Sequence, residues 1–173
     1  MFPSRPISTE PNKSGSKGCA GPCNSFPMSK KILVVCLGNA CRSQMAEGYL
    51  RYYTNGFVPV ASAGIRPGEL HPLTVEVMEE DGIDMSGHYS KGIDQVDRQE
   101  YDYVISVCDE AQTALPIFPK GTLLLHRHFP DPAGATGTRT EQLQEFRQVR
   151  EQIKKYVLKF VGKELQDVPI QLA

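Results

Sequence analysis

Lys31-Ile32-Leu33-Val34-Val35-Cys36-Leu37-Gly38-Asn39-Ala40-Cys41-Arg42-Ser43 is the stretch on which the fold turns. A β-branched apolar run ends in a cysteine, an arginine stands six positions on, and an amphipathic segment then runs from Ser43 to Tyr53. The pattern reads as a strand, a short loop and the start of a helix. Backbone N–H groups of such a loop converge on its centre, and the helix N-terminus adds about half a positive charge there. That field favours thiolate over thiol at Cys36. Arg42 can close the loop with a planar fork that grips two oxygens of a tetrahedral anion. Gly38 and Asn39 are expected to bend the loop, and Ser43 to donate to the sulfur. Cys36 is the candidate nucleophile, with Leu37, Gly38, Asn39, Ala40, Cys41 and Ser43 forming and supporting a cradle for phosphate or arsenate.

The whole chain of 173 residues suits one domain. A net charge of −1 gives no indication of a nucleic-acid or anionic-membrane partner. No apolar run has transmembrane length, and no internal repeat is visible. Residues 1–28 are rich in proline, glycine, serine, asparagine and lysine, without hydrophobic periodicity or the apolar core of a secretory signal. They read as a disordered tail, with Met28 as an alternative start directly before a folded domain over 29–166. Residues 167–173 read as a second tail. Cys19 and Cys23 lie in the first tail with no nearby partner for a metal site. Five cysteines, one of them reactive, suit a reducing compartment, the cytoplasm.

Beyond the first helix, Phe57 to Gly64 reads as a second strand, with Pro59 placing it at a sheet edge. Pro72 to Asp81 reads as a helix with proline in its first turn and Gly82 past its end. Tyr101 to Cys108 and Thr122 to His126 read as the third and fourth strands. Thr138 and Glu141 form a capping-box pattern, after which Leu143, Phe146, Val149, Ile153, Val157 and Phe160 recur at helical spacing until Gly162. Strands alternating with helices predict an α/β fold, an open four-stranded parallel sheet with helices on both faces. Ligands bind such sheets beyond the carboxyl ends of the strands, where Cys36 falls.

Cys36 to Ser43 resembles the anion loop of the low-molecular-weight protein tyrosine phosphatases, whose sheet is wound like that of flavodoxin. The continuation Gln44-Met45-Ala46-Glu47-Gly48 is similar to the arsenate reductases built on the same fold. The resemblance runs from about Ser29 to about Gly162. It implies catalysis by Cys36, Arg42 and Asp131, the last in an Asp131-Pro132-Ala133-Gly134 loop that serves as general acid. It also sharpens Cys108, which by residue statistics alone is an ordinary core cysteine. The reductases carry at this place the cysteine that attacks the first one, whereas the phosphatases usually carry an acid. The phosphatases also place tyrosines after Asp-Pro, flanking an aromatic ring, where this chain has Ala133 and Gly134.

The resemblance therefore implies an arsenate reductase working by a Cys36–Cys108 thiol–disulfide relay. Its alternative is a phosphatase hydrolysing phosphomonoesters through a phosphocysteine. No bound cofactor is implied, and the reductant is external: thioredoxin, glutaredoxin with glutathione, or another low-molecular-weight thiol. Two departures matter. Thioredoxin-coupled reductases have a third cysteine seven residues after the second, where this chain has Leu115, and the glutaredoxin-linked pattern would need one at Glu110. Some relatives hold potassium through residues matching Asn39, Glu47, Ser62 and an aspartate, but Lys91 stands in the aspartate's place, so no metal is expected. His71, His88, His126 and His128 show no ligand spacing. The expected partners are a small oxyanion and a thiol reductant, the expected state a monomer.

Overall fold

The computed structural model describes residues 30–97 and 101–171. The expectations for residues 1–28, including Cys19 and Cys23, lie outside the described residues. The elements are β1 (Ile32–Cys36), α1 (Arg42–Tyr53), β2 (Val60–Gly64), α2 (Pro72–Glu80), β3 (Tyr103–Ser106), α3 (Asp109–Ala114), β4 (Leu123–His126) and α4 (Arg139–Glu164). The four strands form one parallel sheet in the order β2-β1-β3-β4. The step from β1 to β2 runs one way across the sheet and the step from β3 to β4 the other. Right-handed crossovers then put α1 and α3 on opposite faces. α4 packs along α1, and α2 rests against both.

β1 lies inside the sheet, and its five residues are all buried, which is why its sequence is continuously apolar rather than alternating. Pro59 does mark a sheet edge. It has no N–H to give, so it joins only as an acceptor, taking the Ile32 N–H at 3.0 Å, and β2 proper starts at Val60 rather than Phe57. β3 is also shorter than its sequence suggests. Val107 still donates to the Val35 carbonyl at 2.9 Å, but Cys108 has left the ladder and is the N-cap of α3. α3 itself was not expected, because six residues with only Ala111 buried carry no readable period. β4 is the open edge, with Leu123 and Leu124 exposed.

α4 begins with the capping box: Thr138 Oγ1 accepts from the Glu141 N–H, and the Glu141 carboxylate accepts from the Thr138 N–H. Phe146, Val149, Ile153, Val157 and Phe160 form its buried stripe. The chain after α4 stays on the body, with Leu165 buried, Val168 and Ile170 packed against the core, and the Gln171 N–H bonded to the Tyr53 carbonyl.

Ile153 is fully buried at the middle of the α4 stripe, so Ile153→Ala is expected to cost about 2–5 kcal/mol in urea unfolding. Lys155→Ala, on the exposed side of the same helix, is expected to leave the unfolding midpoint unchanged. Equal losses at the two positions would contradict this packing.

Candidate active site

The loop between β1 and α1 has its carbonyl groups turned outward by a neighbouring segment. The carbonyls of Cys36, Leu37, Gly38 and Ala40 accept from the N–H groups of Ile65, Arg66, Gly68 and His71 at 3.1, 2.8, 2.9 and 3.1 Å. Each peptide plane that points its oxygen away points its N–H toward the loop's centre, the arrangement an anion cradle needs. The segment 65–71 that enforces this was not singled out in the sequence. Its signal was Gly64, where an added Cβ would lie 2.9 Å from the Asn39 nitrogen and 3.0 Å from the Gly38 carbonyl carbon.

At the cradle's floor, the Cys36 sulfur accepts from the Asn39 N–H at 3.1 Å and lies 2.8 Å from the Ser43 hydroxyl. Asn39 alone bends the loop into the left-handed region, with φ 49°, and Gly38 does not share that role. The Asn39 amide donates to Ser43 and Ser62 at 2.9 and 2.8 Å, and its oxygen accepts from Gln44 and the Lys91 N–H at 3.0 and 2.8 Å. Gln44 also donates to the Asn39 and Tyr89 carbonyls, and His88 holds its oxygen at 2.8 Å. Burial pushes the His88 imidazole down from its ordinary value, so it stays a neutral hydrogen-bonding partner.

Arg42 is buried to 6 % exposure and opens α1. One guanidinium nitrogen donates to the Phe129 carbonyl at 3.1 Å and another meets the Asp131 carboxylate at 3.1 Å. Asp131 caps a 3-10 turn over Pro132–Gly134, accepting the Ala133 N–H at 3.2 Å, and its side chain is 52 % exposed. The Asp131 carboxylate is therefore half-exposed and tied to the buried arginine.

Among the described residues, three cysteines are buried and free: Cys36, Cys41 and Cys108. Burial pushes the Cys41 thiol up to about 12, which leaves it a poor nucleophile. Burial also raises Cys108, but the N–H groups of Ala111 and Leu37 and the Arg42 charge pull it back. Leu37 adjoins Cys36, and the β1–β3 register continues Val35↔Ser106 to Val107 and then Cys108. The second cysteine thus lies one strand away from the first, at the same end of the sheet.

Glu47 is buried below the cradle, accepts a hydrogen bond from the Ser62 hydroxyl, and pairs with Arg51 at 2.6 Å and with the Lys91 ammonium at 3.8 Å. Among the described residues, no group of three or more His, Cys, Asp or Glu side chains is arranged to hold a metal ion. Two histidines do converge, since His126 and His128 both reach Asp109.

A thiol at the end of a parallel strand, in a ring of inward amides with a buried arginine and a carboxylic acid at the rim, defines a cysteine-dependent oxyanion site. The family model for the low molecular weight phosphotyrosine protein phosphatases matches residues 31–169, and the chain belongs to that family. An arsenate reductase of Halalkalibacterium halodurans is 41 % identical over 134 residues, covering 77 % of this chain and 96 % of the relative. A glutaredoxin arsenate reductase of Synechocystis is 36 % identical over 78 % of this chain and 98 % of its own length. A solved structure of an arsenate reductase in its oxidised state superimposes with a TM-score of 0.67 at 35 % identity, covering 78 % of this chain and 98 % of that one.

Because Gly64 touches the loop backbone, Gly64→Ala is expected to raise the phosphate concentration that half-protects Cys36 from iodoacetate by about tenfold or more. Unaltered protection in a folded variant would refute the role given to this contact.

Proposed function

We propose that this enzyme is an arsenate reductase. The Cys36 thiolate attacks arsenic in arsenate held by the cradle amides and Arg42, and an oxygen leaves as water with a proton from Asp131. The Cys108 thiolate then attacks the Cys36 sulfur. The sulfur–sulfur bond forms as the sulfur–arsenic bond breaks, its electron pair passes to arsenic, and arsenite departs. Two thiols are oxidised by two electrons as arsenic(V) becomes arsenic(III). The observation that carries this reading is the second cysteine at the end of the strand paired with β1, at the same edge of the sheet as Cys36.

An external thiol reductant then reopens the disulfide. With Leu115 and Glu110 at the two positions where relatives would carry a further cysteine, and with Cys41 held as a thiol, we place that attack on the Cys36–Cys108 bond itself. The Lys91 ammonium beside Glu47 supplies positive charge below the loop, so activity is expected without added potassium.

One turnover of reduced protein with arsenate is expected to release one arsenite per chain and to yield a Cys36–Cys108 disulfide on peptide mass mapping. Cys108→Ser should release none. Free thiols throughout, together with steady hydrolysis of an aryl phosphate, would replace this reading by the phosphomonoesterase one, with a phosphocysteine cleaved by water.

Since Cys108 is raised above its ordinary value, its thiolate fraction grows about tenfold per pH unit below that point. Disulfide formation in single turnover is therefore expected to accelerate from pH 7 to pH 8. A flat profile would assign the slow step elsewhere.

A further inference from the structure

Disulfide formation requires the Cys108 sulfur to approach the Cys36 sulfur in line, yet Cys108 lies just outside the sheet ladder, at the head of a six-residue helix. Strand pairing ends at Val107, one residue short of Cys108, so the side chains around that corner also bear on where the sulfur stands. Ser106, two residues before Cys108, is buried, and its hydroxyl lies 2.9 Å from His126 Nδ1. Asp109, one residue after Cys108, meets the other nitrogen of the same ring, with Nε2 3.1 Å from Oδ1. The imidazole thus closes a ring of side chains around the backbone that carries Cys108. The second oxygen of Asp109 meets His128 Nδ1 at 3.2 Å, so both oxygens of an otherwise exposed carboxylate are engaged. Backbone bonds secure the same corner, from the Arg127 N–H to the Ser106 carbonyl at 2.9 Å and from the Phe129 N–H to the Val107 carbonyl at 3.2 Å.

We propose that His126, with Asp109, Ser106 and His128, is a positioning clamp that holds Cys108 for attack on Cys36. The inference rests on the arsenate reductase reading and extends it. None of the four appears among the hydrogen-bonding partners of Cys36, Asn39 or Arg42, which form the cradle. The clamp therefore serves the second step, in which the sulfur–sulfur bond forms and the sulfur–arsenic pair passes to arsenic. The first step, in which Cys36 engages the anion, uses none of these four side chains. An imidazole suits the task because its two nitrogens are fixed on a rigid ring and bond on opposite sides at once. Loosening it lets the sulfur sample positions from which in-line attack fails, and lost orientation of that kind lowers rate steeply.

The test separates the two steps. Wild type, His126→Ala, Asp109→Ala, the double variant and the surface variant His128→Gln are reduced and treated with one equivalent of arsenate. The Cys36–Cys108 disulfide is followed by quenched peptide mass. In parallel, alkylation of Cys36 by iodoacetate and its protection by phosphate report the first site alone. His126→Ala and Asp109→Ala are each expected to slow disulfide formation by about tenfold. The double variant should be no slower than either single one, because the two act through one path. His128→Gln should fall in between, and Cys36 alkylation should stay within about twofold in all of them.

Disulfide formation at the wild-type rate in the variants, or an equal slowing of Cys36 alkylation, overturns the clamp. Should His126→Ala fail to fold, His128→Gln decides alone, since its side chain is 55 % exposed. A wild-type protein that forms no disulfide with arsenate refutes the reductase reading instead. Oxidation of the same thiols by hydrogen peroxide then measures whether the clamp orients Cys108 toward Cys36.

Discussion

Everything at this site depends on one asparagine held in a conformation that asparagine tolerates but does not prefer. Asn39 sits at φ 49°, and single residues in that region cost of order 1 kcal/mol or more. Its side chain offsets the cost by using its full capacity. Both amide protons are donated, to Ser43 and Ser62, and both oxygen lone pairs are filled, by Gln44 and the Lys91 N–H. Those partners come from α1, from β2 and from the chain beyond Tyr89. The loop's shape is therefore set from outside the loop, by elements the sheet has already fixed. Only with that bend in place do the loop carbonyls meet residues 65–71 and the amides turn inward around the sulfur.

Legibility in the sequence tracked how local each signal was. β1, the loop and α1 could be read because a continuous apolar run gives way to helical spacing within a few residues of Cys36. α4 could be read because its capping box and buried stripe lie in one uninterrupted stretch. α3 could not, since six residues with only Ala111 buried carry no readable period. The role of residues 65–71 was hidden for a related reason. Carbonyl-to-amide contacts between a loop and a distant segment leave no side-chain signature, and only the glycine that permits the close approach remains visible. His126 and His128 escaped because their common partner, Asp109, lies seventeen and nineteen positions upstream, outside any spacing rule for a helix or a strand.

The three buried thiols are chemically alike and differ only in what surrounds them. Cys41 is desolvated with little to compensate beyond the Thr74 hydroxyl, and burial prevails. Cys108 is desolvated too, but two amides and a guanidinium act against the burial. Cys36 has the Asn39 N–H and the Ser43 hydroxyl on its sulfur and the whole loop around it. Burial raises Cys41 and Cys108, and the two donors on the Cys36 sulfur set that thiol apart from them. In the proposed mechanism the same residue type thereby serves as a nucleophile, a resolving thiol and a packing residue.

Arg42 explains why the acid and the cradle belong together. A guanidinium buried to this degree needs partners, and a lone buried charge costs several kcal/mol. The Phe129 carbonyl and the Asp131 carboxylate supply them, and both lie on the segment leading from β4 to α4. Stabilising the arginine therefore also fixes the Asp131 carboxyl group beside it. One Asp131 oxygen is committed to the Ala133 N–H and the other to Arg42, so the short turn and the arginine jointly fix where the acid stands. The rest of that turn is small, because Ala133 and Gly134 place no aromatic wall beside the cradle. A ring-bearing phosphoester would find no stacking surface there, whereas a bare tetrahedral oxyanion needs only the amides, the fork and the acid. With no aromatic side chain in the Pro132–Gly134 turn and a second sulfur at the neighbouring strand end, the shared cradle suits electron transfer to a small anion better than hydrolysis of a large one.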